Sequence, residues 1–79
     1  MEQFIIQREI KFGGVFRTLF HESLKPSKNN SVMNVYVENV ESDKGKAKVF
    51  YSKQEVDAMA VYLENATSDN SKSTVIKIK

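Results

Sequence analysis

GKAKVFYSKQEVDAMAVYLENA, residues 45–66, is the stretch with the strongest folding signals in this sequence. Ser52 and Glu55 have the S-x-x-E spacing of a capping box, in which each side chain accepts a hydrogen bond from the backbone amide of the other residue. Beyond them, apolar residues recur at spacings of three and four, as on the buried face of a helix: Val56, Met59, Ala60 and Leu63. The stretch predicts one main amphipathic helix over about 53–66, packed on one face of a sheet.

Three segments around this helix have the two-residue period of half-buried strands. Residues 46–51 alternate small or apolar side chains with lysines and Phe50, and residues 32–40 alternate valines and a methionine with polar side chains. The polar connection 41–45 ends in glycine, which predicts that these two strands form an antiparallel hairpin. The last strand is predicted over 74–79, after a polar loop over 67–73.

The N-terminal part of the chain has two interpretations. Residues 3–12 alternate as a strand and are followed by Gly13 and Gly14. If the glycines form a tight turn, residues 15–24 are the return strand of a hairpin, and an antiparallel sheet of four or five strands carries the helix. If residues 15–24 are helical, which the spacing of their apolar residues also allows, the order is βαββαβ, the ferredoxin-like arrangement. Both interpretations give an α+β fold in a single domain, residues 1–79.

Composition limits the kinds of site that this chain can build. Its 79 residues include no cysteine and one histidine, which excludes disulfides, thiolate metal sites and histidine clusters. His21 has Glu22 and Ser23 beside it, but adjacent residues on one element do not converge, so we expect an exposed or partly packed histidine. No nucleotide-binding signature follows Gly13 and Gly14. We therefore expect no catalytic, cofactor-binding or metal-binding residues, and no enzymatic activity.

Size and hydropathy set expectations for partners. A core of this size gives a margin of stability on the order of a few kcal/mol, which makes a homo-oligomer or a partner protein plausible. No apolar run approaches the roughly 18 residues of a membrane span, and residues 1–12 lack the pattern of a signal peptide. We expect no membrane partner and a cytoplasmic location.

The segment KGKAKVFY, residues 44–51, resembles the third-strand motif of RNA-recognition domains. It matches the basic, glycine, small, aliphatic and final aromatic positions of that motif. Lys46 and Lys48 stand where the family presents stacking rings, so the base-stacking platform that the resemblance implies is absent.

Lysines and aromatic residues form the candidate partner-binding set. On an open sheet face they would combine positive charge with rings, which suits either a protein or a nucleic acid. The candidate residues are Tyr36, Lys46, Lys48, Phe50, Lys77 and Lys79. A second candidate is a phenylalanine patch over residues 12–20, since a chain this small cannot easily bury every aromatic residue.

The sequence thus predicts a small non-enzymatic protein-binding module. Short, cysteine-free domains rich in lysine, asparagine and serine resemble accessory proteins of bacteriophages or mobile elements, which often inhibit or modulate a host protein. The alternative is a nucleic-acid-binding regulator that uses the lysine and aromatic sheet face. Its formal net charge of +2 is too small to indicate nucleic-acid binding by itself.

Overall fold

A computed structural model describes residues 1–26, 36–66 and 71–79, with side chains for all of these except residues 26, 36 and 66. Within these residues the chain forms one four-stranded antiparallel sheet in the order β3-β2-β1-β4, with one α-helix and a short 3-10 helix before it. The predicted α+β fold is confirmed. The elements are β1 (Phe4–Phe12), β2 (Val15–Pro26), β3 (Tyr36–Glu41), the 3-10 helix (Lys44–Lys46), α1 (Lys53–Ala66) and β4 (Ser71–Lys77).

A tight turn at Gly13 and Gly14 joins β1 to β2. Both glycines have positive φ angles, 56° and 87°, and Phe12 pairs directly with Val15 across the turn. Two consecutive residues with positive φ are typical of the primed turns that match the twist of a hairpin. Residues 15–24 therefore all lie in β2, so the hairpin interpretation is confirmed and the helical one is wrong.

The predicted hairpin between strands over 32–40 and 46–51 is wrong. Residues 46–51 do not form a strand beside 32–40: β3 pairs with the second half of β2 instead. The side chain of Asp43 accepts a hydrogen bond from the amide of Gly45 at 2.9 Å, which caps the 3-10 helix. After it, Phe50 forms an isolated bridge with Phe4. The predictions for 27–35 and 67–70 lie outside the described residues.

The core lies between α1 and one face of the sheet. As the capping box predicted, Ser52 Oγ accepts from the amide of Glu55 at 3.2 Å. Complete burial of one such apolar side chain contributes about 1.5–3 kcal/mol. The buried cluster consists of Phe4, Ile6, Phe50, Val56, Ala60 and Leu63, with Leu24, Met59 and Val75 packed against it. The helix face that the sequence predicted is thus the buried one.

The β1–β2 hairpin extends beyond its neighbouring strands. β4 pairs with β1 only from Phe4 to Ile10, and β3 pairs with β2 only from Phe20 onward. Within the described part of the chain, residues 11–18 therefore pair only with residues of the β1–β2 hairpin, as a two-stranded ribbon. All of them are exposed. We call residues 11–18 the hairpin tip.

Candidate functional site

The hairpin tip exposes three large apolar side chains. Phe12 is 50% exposed, Val15 64% and Phe16 58%. Exposed apolar residues scattered singly are ordinary, whereas a group of them on one projecting element marks an interaction surface. Their exposure follows from the lengths of β3 and β4, which end before they reach this part of the hairpin.

Both faces of the tip carry an aromatic ring. Residues paired across an antiparallel ladder share a face, so Phe12 and Val15 lie on one side of the ribbon and Lys11 and Phe16 on the other. The Nζ atom of Lys11 lies 5.8 Å from the ring centroid of Phe16, a cation–π distance. The ribbon therefore lacks the polar outer face that a half-buried strand normally has.

The tip is also positively charged. Residues 10–18 contain Lys11 and Arg17 and no acidic residue. Arg17 is exposed and pairs with Ile10 across the hairpin. Positive charge beside exposed rings favours a surface of negative charge, because complementary charge increases the rate of encounter and the specificity of contact.

A buried polar network underlies the hairpin tip, on the same face of the sheet as α1. Arg8, which is 0% exposed, donates from Nε to both carboxylate oxygens of Glu38 at 3.0 and 3.1 Å. Its Nη1 and Nη2 atoms donate to Ser73 Oγ at 2.7 Å and to Ser71 Oγ at 3.2 Å. His21 Nδ1 lies 2.6 Å from Glu38 Oε2. The network thus takes side chains from all four strands.

His21 is more deeply buried than the sequence indicated. Its side chain is 1% exposed and that of Glu38 is 7% exposed, so the expectation of an exposed or partly packed histidine is wrong. A histidine held by a carboxylate is an arrangement that acid–base catalysts use, but this one is closed off from solvent. The network links the four strands through side-chain hydrogen bonds. In the described ranges, no group of three or more histidine or acidic side chains is placed to hold a metal ion.

Of the lysine and aromatic residues predicted from sequence, the structure brings together Lys48 and Phe50, with Nζ of Lys48 5.2 Å from the ring centroid, but it does not place Lys77 beside them. Phe50 is 3% exposed, so its expected place on an open sheet face is wrong. Lys48 lies beside β2, where its amide donates to the carbonyl of His21 at 2.8 Å, whereas Lys77 lies on β4 at the far edge of the sheet. The Lys77 ammonium pairs with Glu2 at 2.9 Å.

The remaining members of that set add little to a common surface. Lys46 ends the 3-10 helix and is exposed, and Lys79 is exposed beyond the end of β4. Tyr36 begins β3, and its side chain is outside the described part of the structure. A role of these residues in partner binding stays a prediction.

In comparisons with protein families, with curated proteins and with solved structures, nothing matched this chain. Among the described residues, α1 and the 3-10 helix are both too short or too polar to cross a membrane. The function of the chain is therefore inferred from its own residues. At the hairpin tip, exposed aromatic rings lie beside the exposed basic residues Lys11 and Arg17.

Proposed function

We propose that this chain is a small non-enzymatic protein-binding module whose contact surface is the hairpin tip. The exposure of Phe12, Val15 and Phe16 on one projecting ribbon carries the proposal. Covering this apolar area is favourable by about 25 cal/mol for each Å² removed from water. This free energy is gained when a partner covers the tip, because the folded chain alone leaves the area in contact with water.

The chemistry of the tip suits a protein partner. Aromatic residues and arginine are enriched at the energetically dominant positions of protein interfaces, and the tip has Phe12, Phe16 and Arg17 within six residues of one another. Its edges also carry backbone amides and carbonyls that the described strands leave unpaired, and such edges accept an added strand.

The base of the hairpin is held rigidly, which reduces the entropic cost of binding. Gly13 and Gly14 fix the turn, while Arg8 joins the middle of β1 to β3 and β4. A contact surface that is already in its bound shape loses less conformational freedom when a partner docks.

Two further proposals concern the origin of the module and an alternative partner. One is that the module is an accessory protein of a bacteriophage or mobile element that modulates a host protein. The other is the alternative of nucleic-acid binding through Lys46, Lys48, Lys77 and Lys79. The burial of Phe50 and the separation of these lysines favour the protein-binding proposal over it.

A pair of variants matched in exposure tests the proposal. Phe16 and Tyr51 are both 58% exposed, but Tyr51 lies outside the hairpin tip, just before α1. Affinity capture with the wild-type chain identifies a partner, whose affinity is then measured by calorimetry for Phe16→Ser and Tyr51→Ser. We expect Phe16→Ser to weaken binding about tenfold or more and Tyr51→Ser to leave it nearly unchanged.

Two results would count against this proposal. Equal affinities of the two variants would remove the hairpin tip as the contact surface. Steeply salt-dependent binding of labelled single-stranded RNA or duplex DNA, lost on Lys46→Glu/Lys48→Glu and retained in Phe16→Ser, would favour the nucleic-acid alternative instead.

A further inference from the structure

We infer that the partner of the hairpin tip is a second copy of this chain, and that the tip docks on the outer face of α1 in that copy. This inference rests on the proposed function, because it names the partner of the same surface. The outer face of α1 is defined here by its exposed residues Glu55, Ala58, Val61 and Tyr62.

The outer face of α1 is the second place where exposed apolar side chains group together. Val61 is 58% exposed and Tyr62 42%. Glu55, Ala58 and Tyr62 follow one another at helical spacings of three and four, and Val61 is three residues after Ala58, so all four share one side of the helix. That side is distinct from the one formed by Val56, Ala60 and Leu63, which faces the core.

The two surfaces carry opposite charges. The hairpin tip has two basic residues and no acidic one, whereas the outer face of α1 carries one charged residue, the acidic Glu55. Lys53 is already paired with Asp57, at 2.6 Å between Nζ and Oδ2. Arg17 of one copy and Glu55 of the other therefore complement each other.

A twofold arrangement satisfies both surfaces at once. Each copy supplies one tip and one outer helix face, so two identical contacts form and the assembly closes as a dimer. In the described chain nine large apolar side chains are exposed, and five of them belong to these two surfaces. A foreign partner at the tip would leave Val61 and Tyr62 uncovered, whereas a second copy covers them with the side of the tip that carries Phe12, Val15 and Arg17.

Sedimentation equilibrium over a range of concentrations tests this inference. We expect the mass to rise from the 9.0 kDa of the chain toward twice that value. Association should weaken when the salt concentration is raised from about 50 mM to about 500 mM, because exposed charges are then screened.

A charge swap identifies the contact. Arg17→Glu and Glu55→Arg should each weaken association about tenfold, and the double variant Arg17→Glu/Glu55→Arg should recover most of the wild-type affinity. Lys25→Glu, a reversal of an exposed charge outside both surfaces, should have little effect. Circular dichroism verifies that each variant is folded.

The outcomes separate this inference from the proposed function. A chain that stays monomeric up to about 1 mM would overturn the second-copy inference. A dimer that neither Arg17→Glu nor Tyr62→Ser weakens would overturn it as well. In either case, the proposed function stands if Phe16→Ser still abolishes binding of a foreign protein. If Phe16→Ser weakens neither self-association nor binding of a foreign protein, the inference and the proposed function both fail.

Discussion

The guanidinium of Arg8 reaches across a whole strand to the carboxylate of Glu38. Arg8 lies on β1 and Glu38 on β3, with β2 between them, and Nε donates to both carboxylate oxygens at 3.0 and 3.1 Å. The pair lies next to the apolar core in β1, on the side from which the hairpin projects. It fixes the edge strand β3 to the centre of the sheet and holds the base of the hairpin tip in place.

Removing one member of this pair should destabilise the fold strongly. Glu38→Ala leaves the buried guanidinium of Arg8 without its counter-charge, and we expect the free energy of unfolding to fall by about 3–5 kcal/mol. Urea denaturation followed by circular dichroism measures this loss. Replacing both charges, as in Arg8→Met/Glu38→Leu, should cost less than Glu38→Ala, and a double variant that is less stable than the single one would contradict this explanation.

The helix cap at Ser52 should contribute a modest and separable amount. Ser52→Ala removes the acceptor of the Glu55 amide, so we expect a loss of about 1 kcal/mol in the free energy of unfolding. Ser52→Gly is the matched comparison, and its cost should be only a few tenths of a kcal/mol. Thermal or urea denaturation measures both losses, and a Ser52→Ala variant as stable as the wild type would contradict a stabilising cap.

The cost of substituting Gly13 or Gly14 should depend on the backbone conformation that the turn requires, and not on the space for a side chain. No heavy atom lies within 4 Å of a Cβ built on Gly13 or Gly14, yet both residues have positive φ. Gly14→Ala should therefore cost about 1–2 kcal/mol, while Gly13→Asn should cost less, because asparagine adopts this region more readily. Urea denaturation compares the two variants. A Gly14→Ala variant as stable as the wild type would contradict the turn geometry.

The exposed phenylalanines of the tip should matter little for folding. Phe16→Ser is expected to change the free energy of unfolding by no more than about 0.5–1 kcal/mol, whereas Phe4→Ala, at a residue that is 3% exposed, should cost about 3–5 kcal/mol. Denaturation of both variants checks this difference. A large loss from Phe16→Ser would mean that the ring stabilises the monomer and is not reserved for a partner.

The helix could be predicted from the sequence because its signals are local. The cap at Ser52 and the face formed by Val56, Ala60 and Leu63 all lie within twelve residues. The hairpin was ambiguous, since the spacing of Phe12, Val15 and Phe16 also fits one face of a helix. The positive φ angles of Gly13 and Gly14 resolve that ambiguity.

Features that depend on distant residues could not be read from local patterns. Arg8 is 30 residues from Glu38 and 65 from Ser73, and no spacing rule links them. The pairing of β3 with β2, in place of residues 46–51, is likewise a choice among competing long-range partners. The exposure of the hairpin tip depends on where β3 and β4 stop, which the alternation within β1 and β2 does not encode.

The central claim is that the hairpin tip docks on a second copy of this chain, and intermolecular NMR tests it most directly. In an equal mixture of carbon-13-labelled and unlabelled chain, isotope-filtered nuclear Overhauser spectra report only contacts between copies. We expect cross-peaks from the ring of Phe12 and the methyl groups of Val15 to the methyl groups of Val61 and the ring of Tyr62. Intermolecular cross-peaks that involve other surfaces, with none from the tip, would contradict it.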